Sequence, residues 1–359
     1  MIVEYKTDDV LTAARKRIAY VFDRFPRIVV SVSSGKDSTT LWRLTVDEAE
    51  RRNRRVTVFF LDQEAEYASS IEIVEQMMSH PLVDPMWYQI PIELTNATSH
   101  REYFLQAWWP GQEWMRARHP LAISDIAGTS PRRFYGFFQW HETTFSEPTA
   151  FLIGLRSNES FNRFRSVTSH AGFEDVAWST RTKSPDTFRF YPLFDWTFGD
   201  VWKYIDDEGI AYNRVYDFMF AKYGQNMRNM RISNLVHEKS FHCLADLQEF
   251  EPATYERLVS RLGGVHCAAL YSKDALIFDT RRLPDSFGSW RAYRDYLLET
   301  TPCNRIERFR KRFLKQADDE PTAQQQVKQL LLNDWEGTLA VNVPKDRRAG
   351  WREKWWPIL

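Results

Sequence analysis

The sequence predicts an α/β fold, a parallel sheet with helices on both faces, followed by a mostly helical C-terminal region. Three observations predict it. The β-branched runs at 27–32 and 56–61 are apolar on both faces, as strands buried on both sides must be. Segments of helical periodicity separate the strand-like runs. Beyond about residue 215 the strand signal fades while helical patterns continue.

In order, Val10, Leu11, Ala14, Ile18 and Val21 recur at helical spacing over 9–24, and Phe25-Pro26 ends that helix. Arg27 to Val32 reads as a buried strand and Ser33 to Asp37 as a polar, glycine-containing turn. From Ser38 a helix carries Leu41, Leu44 and Ala49 to Glu50-Arg51-Arg52. Val56–Leu61 is the second strand, Tyr67–Ser79 a helix, and Met86–Ile90 the third strand. The pattern dissolves over 100–148 into an aromatic, basic insertion carrying Trp108, Trp109, Trp114, Arg116, Arg118, Arg132, Arg133 and Trp140. Strands return at 150–154 and 188–191, and a helix at 198–208 has Phe198, Val201, Trp202 and Ile205 on one face. Further helices are expected at 252–262, 288–299, 303–316 and 321–333. At ~150 residues per domain, 359 residues suggest two domains, 1–215 and 216–359.

Lys+Arg 48 against Asp+Glu 48 excludes a uniformly basic nucleic-acid coat and an acidic tail, though local patches survive a neutral sum. Three scattered cysteines exclude a disulfide scaffold. With no apolar run near ~20 residues and no signal-like N-terminus, a cytoplasmic chain is expected. The 54 aromatic residues (Trp 14, Tyr 15, Phe 25) supply both core and stacking surfaces.

The turn Ser33-Ser34-Gly35-Lys36-Asp37-Ser38 carries the chemistry. A glycine-containing turn from a strand into a helix presents free N–H groups and the positive end of the helix dipole, which suits an anion. The three serines add hydroxyls and Lys36 a cation. It is not a Walker loop, whose G-x-x-x-x-G-K-[ST] pattern is absent. The segment resembles the pyrophosphate loop (PP-loop) of the ATP-pyrophosphatase superfamily, motif S-G-G-K-D-S, with Ser34 in place of the first glycine. A residue there with φ > 0 would make the replacement costly.

The resemblance extends further. Phe60-Leu61-Asp62 ends the second strand, where superfamily members place the adenosine, and Asp62 and Glu64 are expected to accept from it or hold a cation. Ile153-Gly154-Leu155-Arg156-Ser157-Asn158-Glu159-Ser160-Phe161-Asn162-Arg163 resembles a stretch of the phosphoadenylyl-sulfate (PAPS) reductases. Arg156 and Arg163 are planar forks suited to phosphate or sulfate, and Glu159 could position an arginine or Mg²⁺. The Pro192–Asn213 block matches the same family and reads as architecture, with Asp195 as a helix cap. Segments after 215, including Asn229-Met230-Arg231-Ile232, resemble the IbrA-type subgroup, described as co-activators of prophage gene expression with a ParB-like (IbrB-type) partner.

The resemblance implies an adenine nucleotide alpha hydrolase-like fold and an enzyme acting at the α-phosphate of ATP, or binding PAPS, with release of pyrophosphate. The implied catalytic set is Lys36, Asp37, Arg156 and Arg163. Ser33, Ser34, Gly35, Lys36, Asp37, Ser38, Asp62, Gly154, Arg156 and Glu159 would bind the nucleotide, with Asp37 and Asp62 on Mg²⁺. The reductases' E-C-G-L-H motif is absent, and so is any C-x-x-C pair. Sulfonucleotide reduction or sulfur transfer therefore lacks its thiolate. A transcriptional co-regulator binding nucleotide beside a ParB-like partner is the alternative.

Weaker features remain. His242-Cys243 and His266-Cys267 offer four zinc-type ligands, but adjacent residues make poor joint ligands and a packed core is expected. Arginines at 101–140 and the basic helix face with Arg305, Arg308, Arg310, Lys311, Arg312 and Lys315 are candidate nucleic-acid patches. Trp351, Trp355 and Trp356 are expected to dock on the body.

Overall fold

Residues apolar on alternate and on intervening positions need cover on two sides, and the β-branched runs find it at the centre of one sheet. The computed structural model describes residues 7–99, 101–126, 133–168, 172–224, 230–237, 243–271, 282–301, 305–337 and 339. Helix α1 (Val10–Arg24) starts at Asp9, whose side chain accepts from the Thr12 N–H at 2.7 Å. There follow β1 (Arg27–Ser31), α2 (Lys36–Arg52), β2 (Val56–Leu61), α3 (Ala68–Met78) and β3 (Val83–Tyr88). Next come β4 (Ile92–Thr95), β5 (Phe104–Ala107), β6 (Ala122–Ile123), α4 (Phe134–Thr143), β7 (Thr149–Ile153) and α5 (Phe161–Thr168). Then follow β8 (Ser179–Arg181), β9 (Thr187–Phe190), α6 (Phe198–Asp207) and α7 (Val215–Tyr223).

Seven strands form one sheet in the order β6-β3-β2-β1-β7-β9-β8, and β4 pairs with β5 separately. All neighbours in the sheet are parallel except β8, which runs antiparallel to β9 with Thr180 opposite Arg189. In the central register Val29 lies opposite Thr57 and Phe151. Ile28, Val30, Val58, Phe60 and Leu152 share a core with α1, α2, α3 and α6. The intervening side chains point the other way: Phe59 and Phe151 meet His141 of α4 at ring separations of 4.4 and 5.8 Å. The second face is thus covered from within the 100–148 insertion, a stretch whose sequence reads as irregular.

Asp195 does not cap α6, contrary to expectation. Thr197 is the cap, in a reciprocal box with Asp200. Asp195 instead receives both Arg17 Nη atoms at 2.7 and 2.6 Å. A bidentate partner for its carboxylate outweighs a single backbone N–H.

Packing divides the chain into two units. The first comprises Met1–Glu93 with Gln106–Asn234, the second Leu94–Leu105 with Leu235–Leu359. Residue 215 falls inside the first, because Asn213 and Tyr216 bond to the turn after β1 and to α3. The second unit holds α8 (Cys243–Phe250), α9 (Pro252–Arg261), α10 (Val265–Tyr271), α11 (Trp290–Thr300), α12 (Ile306–Phe313) and α13 (Glu320–Leu331). Phe309, Phe313, Leu330 and Trp335 form a small core there. Among the described residues no helix is long and apolar enough to cross a membrane.

Candidate functional site

Strand order reverses at β1, with β2 and β3 on one side and β7 on the other, so the turn after β1 sits at the topological switch point where open α/β sheets bind ligands. A cavity of about 290 Å³ opens there. It is lined by Ser33, Gly35, Lys36, Asp37 and Ser38, by Phe60, Gln63 and Glu66 at the end of β2, and by Gly154, Glu159 and Arg163 after β7. Phe134 and Phe138 of α4, Tyr216 and Arg231 complete much of the wall.

Ser34 adopts φ +56°, the left-handed conformation that glycine takes at no steric cost, while Gly35 has an ordinary φ of −72°. The buried Ser34 hydroxyl lies 3.4 Å from Asn213 Nδ2. Ser38 Oγ accepts from the Ser33 N–H at 3.1 Å and donates to the Gly35 carbonyl at 2.9 Å, closing the turn. The Lys36 N–H donates to Tyr216 Oη at 3.1 Å. Among the described residues, the N–H groups of Gly35, Asp37 and Ser38 make no hydrogen bond.

Lys36 is 3 % exposed, and burial pushes its ammonium below the usual lysine pKa while Asp37 opposes the shift. Asp37 stands between two cations: Oδ2 is 3.2 Å from Lys36 Nζ, and Oδ1 accepts from Arg156 Nε at 2.5 Å. Arg156 also donates to Asn158 Oδ1 at 3.2 Å. Gly154 allows the two loops to meet, since a Cβ there would lie 2.8 Å from the Asp37 carbonyl oxygen. Glu159 bridges Arg163 at 2.9 Å and Arg231 at 3.0 Å.

Asp62 and Glu64 turn away from the cavity. Asp62 is fully buried and takes four donors: the Glu64 N–H (2.9 Å), Trp87 Nε1 (3.0 Å), Gln89 Nε2 (2.8 Å) and a short contact from Arg116 Nη2. Glu64 accepts from the Trp108 N–H at 2.7 Å and the Met115 N–H at 3.3 Å. Both carboxylates therefore hold the 108–116 segment of the insertion against the end of β2. The Mg²⁺ role expected for Asp37 and Asp62 does not fit these donors. One carboxylate is saturated, the other is held by two cations, and the described residues contain no cluster of three metal-ligating side chains.

Two arginines of the insertion, Arg116 and Arg118, are likewise turned inward, while Arg101 is exposed and Arg133 partly so. Arg116 bonds Asp62 and the Glu64 carbonyl, Arg118 stacks 4.4 Å from Trp114, and Arg133 pairs with Glu93; Arg132 lies outside the described residues. On α12, Arg312 donates to the Trp335 and Asp334 carbonyls and Arg305 lies 4.3 Å over Trp335, so part of the expected basic face is structural. Cys243 is buried, Cys267 is exposed, and His266 Nδ1 is 3.0 Å from Tyr255 Oη. His242, Cys303, Asn229 and the three terminal tryptophans lie outside the described residues.

Sequence reasoning did not single out Glu66, Arg231 or Tyr216 as cavity residues; Phe134 and Phe138 fall in the 101–140 stretch, whose mix of aromatic and basic residues suits base stacking. Glu66 is 8 % exposed, and burial together with the Asp62 charge raises its pKa to about 8. Its signal was faint: a carboxylate five residues after a strand reads as solvated. Arg231 and Tyr216 lie far along the chain from the turn.

Residues 27–270 match the family model described as phosphoadenosine phosphosulfate reductase domain. The chain belongs to that family. Residues 224–319 also match a domain of unknown function (DUF3440). The chain is 27 % identical over 319 residues to the uncharacterized protein YbdN of Escherichia coli, covering 84 % of this chain and 78 % of that one. It is 22 % identical to the adenosine 5'-phosphosulfate reductase of Oceanobacillus iheyensis over 219 residues, 60 % of this chain and 78 % of the reductase. Among solved structures, the FMN adenylyltransferase of Candida glabrata with FMN and the ATP analogue AMPCPP aligns at a TM-score of 0.38 and 13 % identity, over 65 % of this chain and 68 % of that one.

Proposed function

We propose that this member of the family binds ATP or a related adenylyl nucleotide and acts at the α-phosphate, releasing pyrophosphate. The observation that carries the reading is the set of unpaired N–H groups on Gly35, Asp37 and Ser38 at the start of α2, beside a buried lysine, in one cavity. Such a turn holds phosphate oxygens through backbone donors and the helix dipole. The pyrophosphate rests on the turn, and Lys36 neutralises the charge that grows on it as the Pα–O bond breaks. Asp37 holds Lys36 and Arg156 at the fixed spacing the phosphates meet. Arg163 and Arg231, drawn together by Glu159, supply a second anion-binding edge on the β7 side. Among the described residues no cysteine lines the cavity, so the attacking group comes from an acceptor molecule or water. The donor set supports no step through Mg²⁺.

Incubation with ATP labelled at the α-phosphate tests the reading. Label is expected in AMP or an adenylylated acceptor, with equimolar pyrophosphate, and Lys36→Ala abolishes it. A wild-type protein that binds ATP through Lys36 without turnover, alone and with a ParB-like protein present, would instead support the co-regulator reading. That no cysteine of the described residues lines the cavity favours that reading over sulfonucleotide reduction.

A further inference from the structure

The cavity contains one ionisable group that phosphate chemistry leaves unused. Glu66 lies just past the end of β2, on the opposite side of the turn from the arginines that follow β7. It is 8 % exposed, and what remains accessible lines the cavity. Among the described residues no side chain hydrogen-bonds or pairs with its carboxyl, which receives only the Gln63 backbone N–H. The charges that act on it are Asp62 on its own loop, opposing ionisation, and Arg116 of the insertion, favouring it. Lys36, Asp37, Glu159, Arg163 and Arg231 are the other charged groups lining the cavity. Arg116 is already committed to Asp62 and to the Glu64 carbonyl, so it does not neutralise Glu66 by contact.

A buried carboxyl whose one donor is a backbone N–H leaves most of its hydrogen-bonding capacity unfilled, which costs free energy until something supplies a partner. In the acid form it offers one O–H donor next to one carbonyl acceptor. Phe60, Phe134 and Phe138 line the same cavity and provide apolar surface for a flat ring. We propose that Glu66, in its acid form, reads the adenine of the bound nucleotide, donating its O–H to an unprotonated ring nitrogen and accepting from the neighbouring exocyclic amino group. The inference rests on the nucleotide reading of this cavity and adds to it the residue that recognises the base. Once ionised, Glu66 has acceptors only and repels the ring-nitrogen lone pair, so recognition carries a proton requirement. With its pKa near 8, that requirement is met at neutral pH and lost in mild alkali.

The test is equilibrium binding of ATP, CTP and purine-riboside 5′-triphosphate, which lacks the amino group, to the full chain at pH 6.5 and 9. Wild type is expected to bind ATP at least ~10-fold tighter than the purine riboside at pH 6.5, and to lose most of that preference at pH 9. Glu66→Gln keeps a donor beside an acceptor without a titrating proton, so it should preserve the preference at both pH values. Glu66→Ala should abolish it while phosphate-dependent binding persists. The inference is overturned by an unchanged ATP preference in Glu66→Ala, by a Glu66→Gln protein as indifferent as Glu66→Ala, or by CTP binding tighter than ATP. Lys36→Ala separates the two levels. Wild-type ATP binding that does not depend on Lys36, or no binding at all, defeats the nucleotide reading itself. Lys36-dependent ATP binding indifferent to Glu66 defeats only the assignment of the base reader.

Discussion

Arg156 Nε donates to Asp37 Oδ1 at 2.5 Å, joining the loop after β7 to the first turn of α2. Arg156 is 4 % exposed, so the charge has left water and depends on its partner. Removing Arg156 breaks that hydrogen-bonded pair but leaves Asp37 its second cation, Lys36 at 3.2 Å, so the loss is about 1–3 kcal/mol. Arg156→Ala is expected to lose stability in that range by urea denaturation. The Arg156→Ala, Asp37→Ala double variant should lose less than the sum of the two singles. Strict additivity would show that the pair does not couple the loops.

Gly154 is the second tie between those loops. An added methyl would press on the Asp37 carbonyl oxygen and carbon and the Ser38 nitrogen, all backbone atoms. Backbone cannot rotate away, so Gly154→Ala should cost about 1–3 kcal/mol and weaken nucleotide binding at the turn. Thermal melts with and without ATP check both effects, and a neutral substitution would mean the approach is looser than 2.8 Å.

Ser34 occupies a left-handed conformation that costs a non-glycine residue about 1 kcal/mol. Ser34→Gly should therefore stabilise the protein by up to about 1 kcal/mol, reduced by the extra freedom glycine has when unfolded. A fall in the urea midpoint would show that the contact between Ser34 and Asn213 outweighs the strain.

His141 sits among the rings of Phe59, Phe137 and Phe151, where burial lowers its pKa from 6.5 to about 4. A base whose pKa falls on folding binds fewer protons in the native state, so stability is lost as pH falls from about 6.5 towards 4. The loss amounts to about 3 kcal/mol at the acid end. His141→Phe should flatten that acid limb in denaturation curves from pH 7 to 4. An unchanged slope would place the acid-sensitive group elsewhere.

The sheet was legible where burial on two faces leaves continuous apolar runs, as in Ile28-Val29-Val30 and Val58-Phe59-Phe60. Strand β3 begins at Val83, ahead of the expected Met86, because Asp84 and Pro85 break the apolar run while keeping the backbone extended opposite Thr57 and Val58. Helices α7, α8 and α10 were missed, being short and framed by aromatic or alternating residues without a clear stripe. The turn 33–38 was legible as a strand-to-helix turn with free backbone N–H groups because backbone geometry follows from a local motif. Whether a carboxylate faces ligand or protein does not. Asp62 looked like a ligand residue until Trp87 and Gln89 from one segment and Arg116 from another supplied its donors. Glu66, two residues beyond Glu64, reads the same in sequence and has the opposite orientation.

The ribbon of β4 and β5 carries the chain out of the first unit after Glu93 and back into it at Gln106. Asn96 and Glu102 on that excursion then await Asn333 and Gly263, which emerge from the ribosome far later. A chain cut after Asn234 would carry these residues with nothing to receive them, and the remainder would lack its own first segment. Neither unit can be excised with a single cut. Isolating the cavity of the first unit for study requires replacing 94–105 with a short linker.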